Sequence, residues 1–137
     1  MSDLTAIPGY EVLIGDAEAL QRTLPIEPGR VRSRRLFKSA AVTVLGVAID
    51  AGSVMREHVA AVPILIQVDD GRAALELQGQ RIELSAGAVV HVDGNMRHEV
   101  EGLEPTRFLL LLLGGSVGAS HSTGTGASRP SPAVACA

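Results

Sequence analysis

Aromatic side chains are nearly missing from this chain. Tyr10, Phe37 and Phe108 are all it has, and there is no tryptophan. A site that works by stacking on bases or sugar rings has little to build with. Cysteine is almost missing too: Cys136 is the single thiol, so no intramolecular disulfide forms and no oxidising compartment is required. Long hydrophobic runs are lacking. The longest, Phe108 to Leu113, is six residues, against the roughly 20 that a membrane-spanning helix needs. The opening stretch MSDLTAIPGYEV has neither the basic start nor the apolar core of a secretion signal. Excess positive charge is absent as well. The formal net charge is −3, which argues against nucleic acid or an anionic membrane as the main partner. These absences read as a soluble, cytoplasmic protein.

What is present is aliphatic. Of 137 residues 46% are hydrophobic, nearly all of them Val, Leu, Ile and Ala, enough for one domain with a single modest core. Residues 1 to 15 read as an irregular arm, with a turn at Ile7-Pro8-Gly9. Asp16 precedes a short helical pattern in which Leu20 and Leu24 share a face. Its carboxylate can cap the first turn, and Pro25 stops the helix. Five cations, Arg30, Arg32, Arg34, Arg35 and Lys38, follow closely. The plain reading of them is a solvated edge strand or linker; the other is a patch for an anionic ligand.

From Val31 onward the pattern is that of strands. The run from Ala40 to Ile49 is uncharged and rich in β-branched residues, as in a strand covered on both faces. Part of that cover is expected from a second copy, giving a twofold dimer. Pro63 to Val68 is another apolar strand, and Asp69-Asp70-Gly71 is a hairpin signal. Leu75, Leu77, Ile82 and Leu84 then alternate with polar residues around a Gln78-Gly79 turn. Strands are also expected over Ala88 to Val92, Glu99 to Glu101 and Arg107 to Leu113. Short strands separated by Gly, Asp and Asn turns predict an all-β barrel or sandwich. Residues 114 to 137 are Gly, Ser, Thr, Ala and Pro with little to bury, a disordered tail carrying His121 and Cys136.

Two histidines stand out by their spacing. Gly52 is followed at the sixth position by His58, and Gly71 lies further on; Gly87 precedes His98. These positions resemble the two cupin motifs, G-x5-H-x-H-x3-4-E-x6-G and G-x5-P-x-G-x2-H-x3-N, over Leu36 to Leu113. Ala60 stands where the second histidine belongs, and Ile64 where the glutamate belongs. Asp93, Asn95 and Gly102 replace the proline, the second glycine and the asparagine. The resemblance implies a jelly-roll β-barrel, usually dimeric, spanning residues 36 to 113 behind an N-terminal arm of residues 1 to 35. In the complete motif three histidines and a glutamate hold a divalent metal, commonly Fe, Mn, Zn, Ni or Cu. Active members include dioxygenases, isomerases and decarboxylases, while others only bind ligands or regulate.

The departures shape the expected chemistry. Stepping by two from His58 gives Ala60, Val62, Ile64, Ile66 and Val68, an apolar wall if the strand is continuous. Two imidazoles alone leave at least two positions on a metal for water or substrate. His91 adds a third ligand if it points inward; otherwise it is a surface or interface histidine. Glu57 and Gln67 are out of phase with the inward set. Met55 and Met96 flank the two histidines and are expected at the pocket rim. Arg97 is either a steering charge for an anion or an ordinary loop arginine. Ser53 and Ser85 have no readable histidine and carboxylate partners, so a hydrolase triad is a poor fit.

Two readings follow. In the first the barrel binds a small, mostly apolar molecule, oriented by His58 and His98 and lined by Met55, Ala60, Val62, Ile64, Ile66 and Met96. In the second it is a metal-dependent enzyme, dioxygenase- or isomerase-like, with a reduced histidine set. No catalytic residue, substrate or certain cofactor can be named from the sequence.

Overall fold

A computed structural model describes residues 9 to 114, apart from the side chains of Glu57 and His58. The tail expected over residues 114 to 137, with His121 and Cys136, lies outside the described residues except for Gly114, as do residues 1 to 8 of the arm.

The chain enters through α1 (Ala17–Thr23). Asp16 caps it, its Oδ1 accepting from the Ala19 amide at 2.8 Å, which satisfies one of the donors a first turn leaves orphaned. Leu24 closes the other end, its amide donating to the Leu20 carbonyl. Leu20 and Leu24, one turn apart, are both buried and pack on Ala48 of the sheet below.

Nine strands follow among the described residues: β1 (Val31–Lys38), β2 (Val42–Ile49), β3 (Val54–His58), β4 (Ile64–Asp70), β5 (Arg72–Leu77), β6 (Gln80–Ser85), β7 (Val89–Val92), β8 (His98–Gly102) and β9 (Thr106–Leu113). They form two antiparallel sheets, one in the order β1-β2-β9-β4-β7 and the other β3-β8-β5-β6. The inner faces meet in one core. Leu45, Val47 and Ile49 of β2, Ile64, Ile66 and Val68 of β4, and Phe108 and Leu110 of β9 come from the first sheet. Ala73, Leu75, Leu84 and Val100 come from the second. In each strand these residues fall at alternate positions, as a sheet with one face buried requires. Each large aliphatic side chain so buried contributes about 1.5–3 kcal/mol.

The long apolar run is explained by its neighbours on both sides. Its inward residues join the core, while Gly46 and Ala48 lie under α1. A β-carbon at Gly46 would come within 2.8 Å of both Leu24 methyls, so glycine lets the helix sit close. The chain's own helix therefore provides this part of the cover. Arg107 fastens the arrangement: its Nε donates to the Leu24 carbonyl at 2.7 Å and its guanidinium pairs with Asp70 at 3.0 Å. A cation at a helix C-terminus also complements the helix dipole.

Two expectations are corrected here. Asp69-Asp70-Gly71 does not make a hairpin: β4 and β5 belong to different sheets, and the turn swings the chain from one to the other. Gly71, at φ +90°, is pressed against Pro105 and Thr106 where this crossing occurs. Nor do His58 to Val68 form one strand. β3 ends at His58 and β4 starts at Ile64, so Ala60 and Val62 lie in the connection between sheets. Gln78-Gly79 does form a tight hairpin loop, with φ of +46° and +81° and Leu77 opposite Gln80. Such dihedrals suit the twist of the flanking strands.

Candidate functional site

The best candidate site lies at one end of the second sheet, where β3 ends, β5 ends and β8 begins. His98 opens β8. Its register neighbours are Leu77 of β5 and His58 of β3. His58 is placed here by its backbone alone, since its side chain lies outside the described residues. The register of β3 shifts between Met55 and His58, and an irregularity of this kind re-aims the side chains that follow it.

His98 is 1% exposed and shares the inward phase of Val100. Its Nδ1 lies 3.1 Å from the Met96 carbonyl oxygen. A carbonyl only accepts, so Nδ1 carries the proton in this bond. In the neutral tautomer that donates this bond the lone pair is on Nε2, which makes that atom an acceptor or a ligand. The anchor is a main-chain carbonyl, available from any residue type, and no sequence pattern announced it.

The loop before His98 is tied to the connection after His58. The Asn95 amide donates to the Ala60 carbonyl at 2.6 Å, and Asn95 adopts φ +64°. Gly94 packs against the same connection, where a β-carbon would meet the Ala61 carbonyl oxygen at 2.8 Å. The two resembling motifs are thus joined through backbone at the mouth of the barrel.

The remaining candidates divide by place. Met55, Ala60, Ile64 and Ile66 belong to the buried core, and Met96 packs against it half-buried. Val62 is half-buried in the connection. Met96 also lines a polar cavity of about 520 Å³ on the rim, together with Gln78, Asn95, Arg97 and the cross-strand pair Glu76 and Glu99. His91 sits on the outer face, 52% exposed and 3.9 Å from Asp93. It is opposite Leu65 in register, while its neighbour Val92 points into the core. Of the two placements the sequence leaves open for His91, this is the surface one rather than a third inward ligand. Four successive residues of β7 include three valines, so apolar alternation did not reveal which face was inner. Gln67 also turns outward, its amide donating to Asp69 at 3.2 Å.

The donor set limits what metal this barrel can hold. Ala60 and Ile64 occupy the places of a histidine and a glutamate, and neither has a donor atom. Both are buried, at 3% and 1% exposure. Among the described residues no three His, Cys, Asp or Glu side chains converge. The residues present do not fit a four-ligand centre. Beside α1, burial perturbs a carboxylate. Burial lifts the Asp69 carboxyl above the ordinary carboxylate range; the Gln67 amide opposes this and the charge of Asp70 adds to it.

No protein-family model matches the chain, and no curated protein matches it in sequence. Solved structures match its fold. A cupin superfamily protein from Desulfitobacterium hafniense superposes with a TM-score of 0.67 at 19% identity, over 77% of this chain and 98% of that one. An uncharacterised protein with a double-stranded β-helix domain from Klebsiella pneumoniae gives 0.66 at 19% identity, over 79% and 95%. KdgF from Halomonas gives 0.58 at 24% identity, over 65% and 82%. The chain has the cupin fold. No helix among the described residues is long and apolar enough to cross a membrane.

Proposed function

We propose that this cupin-fold barrel binds a small, mostly apolar molecule through its interior, with His98, and His58 beside it, as the polar anchor. One observation carries the reading: a buried imidazole whose proton is committed to the Met96 carbonyl. Around it the inner walls are Val, Ile, Leu and Met. An apolar site with few, well-placed polar groups binds an apolar body and orients it by one hydrogen bond. The ligand that suits this anchor has a hydroxyl or similar donor on a hydrocarbon frame. Phenol and cyclohexanol are simple probes of that class. Either should shift the His98 Nε2 resonance in ¹⁵N spectra, and methylcyclohexane, which lacks the donor, should not. No response to any of them ends the proposal.

A metal-dependent reading draws on the same tautomer, because metal-ligating histidines commonly hold their second nitrogen in this way. The centre would rest on two imidazoles. Metal analysis of the untagged protein and of His98→Ala separates the readings: near-stoichiometric metal, lost in the variant, favours the second.

The same proposal includes a twofold dimer and a cytoplasmic setting. Val42, Val44, Leu65, Leu111 and Leu113 lie on the outer face of the first sheet, beyond the part that α1 covers. Apolar side chains adjacent across three strands make a self-complementary patch for a second copy.

A further inference from the structure

The most concentrated charge in the chain is at a place the barrel reading does not use. Five of its 12 cationic side chains lie between Arg30 and Lys38, although the protein is negative overall. Four of them, Arg32, Arg34, Arg35 and Lys38, lie on β1, an outermost strand of the first sheet, whose one strand neighbour among the described residues is β2. Among the described residues this edge is therefore open, and it is basic.

The ladder fixes which backbone groups the edge offers. Asp50 N donates to Arg30 O at 3.2 Å, and Val31 is opposite Ile49. Bonded and non-bonded pairs alternate in an antiparallel ladder. Arg32 and Arg34 therefore spend their amides and carbonyls on Ala48 and Gly46, and those of Val31, Ser33 and Arg35 turn to the free edge. Arg32 and Arg34 share the outer face of the sheet, two residues apart, or roughly 6.5–7 Å. Acidic side chains at alternate positions of an added strand repeat at that same distance and would face them as cross-strand pairs. The protein already makes one such contact. Glu27 accepts from Arg32 through both carboxylate oxygens, at 2.9 and 3.0 Å. Beside it is a cavity of about 290 Å³, between Arg32, Ser33, Arg34 and the end of α1, with room for a side chain of the added strand.

We propose that the edge of β1 binds an extended acidic peptide of a partner protein by strand addition, with acidic residues at every second position. A second copy is disfavoured at this edge. Any antiparallel self-pairing centred on Ser33 or Arg34 sets arginine against arginine, and like charges directly opposite destabilise a ladder. The same charges that block self-pairing select an acidic strand.

The test uses the full chain and a labelled peptide of alternating valine and aspartate. The expected result is saturable binding that weakens at least about tenfold from low to physiological salt. Hydrogen exchange should slow at the Val31 and Ser33 amides and stay unchanged at Arg32 and Arg34. A fully N-methylated peptide of the same charge should not bind, nor should a valine–lysine peptide. The double variant Arg32→Glu, Arg34→Glu should reverse the preference. Equal binding of the N-methylated peptide would mean charge attraction without a strand, and would overturn the proposal even if the variant failed to fold. Binding of a single-stranded oligonucleotide in place of the peptide would overturn it as well.

Discussion

Gly94 and Ala61 meet where the loop before β8 crosses the connection after β3. A β-carbon at Gly94 would sit 2.8 Å from the Ala61 carbonyl oxygen, and the obstacle is backbone, which cannot rotate away. Next to it, Asn95 holds φ +64° and donates to Ala60. Gly94→Ala should therefore force the two segments apart and cost about 1–3 kcal/mol in denaturant unfolding. Asn95→Gly, which tolerates positive φ, should change stability by less than about 0.5 kcal/mol. Equal effects from the two would show that the contact does not constrain the mouth.

His98 offers a way to separate stability from binding. Asparagine can place an amide nitrogen near the position of the imidazole Nδ1, so His98→Asn can keep the bond to Met96 while removing Nε2. His98→Ala removes both and leaves the Met96 carbonyl without this partner. The alanine variant should be the less stable by roughly 1 kcal/mol or more. Both should fail to bind phenol or cyclohexanol. Retained binding in His98→Asn would move the anchor elsewhere.

How much of this was legible in the sequence follows from what kind of signal each feature leaves. Alternation at Leu75 and Leu84, the cap at Asp16 and the glycine turn at Gly79 are local, and local chemistry determines them. Strand pairing is not local. Asp69-Asp70-Gly71 has the residues of a hairpin, yet its flanking strands pair with β9 and β8 on opposite sheets. β7 carries apolar residues on both faces, so His91 could be placed only once Ile64 was seen opposite Val92. The spacing of His58 and His98 was readable, and the resemblance implied that they share one site; their strand register was not, because 40 positions separate them.

Asp69 predicts a pH effect under α1. Its Oδ2 is buried and has no hydrogen-bond partner among the described residues. Burial, with Asp70 adding, raises its carboxyl above the ordinary range. A raised carboxyl favours the folded state only when protonated, so its contribution is complete below the unfolded pKa and is lost as pH rises through the folded one. The wild type should therefore lose stability relative to Asp69→Asn between acidic and neutral pH. A pH-independent difference in chemical denaturation would contradict this.

The docking of α1 predicts a graded response at Gly46. An added β-carbon would meet the Leu24 methyls at 2.8 Å, and these are the ends of a flexible side chain. Alanine should be partly absorbed by a rotation of Leu24. Valine adds two more methyl groups to the same gap and should displace the helix, exposing Leu20 and Ala48. The carbonyl of Leu24 would then lose Arg107, whose guanidinium would keep Asp70. Limited proteolysis near Thr23 should accelerate strongly in Gly46→Val and little in Gly46→Ala, while the core strands stay protected. If the helix instead held part of the barrel together, both variants would lose global stability in step with helix release. The separate cluster of Leu20, Leu24 and Ala48, outside the main core, predicts that they do not.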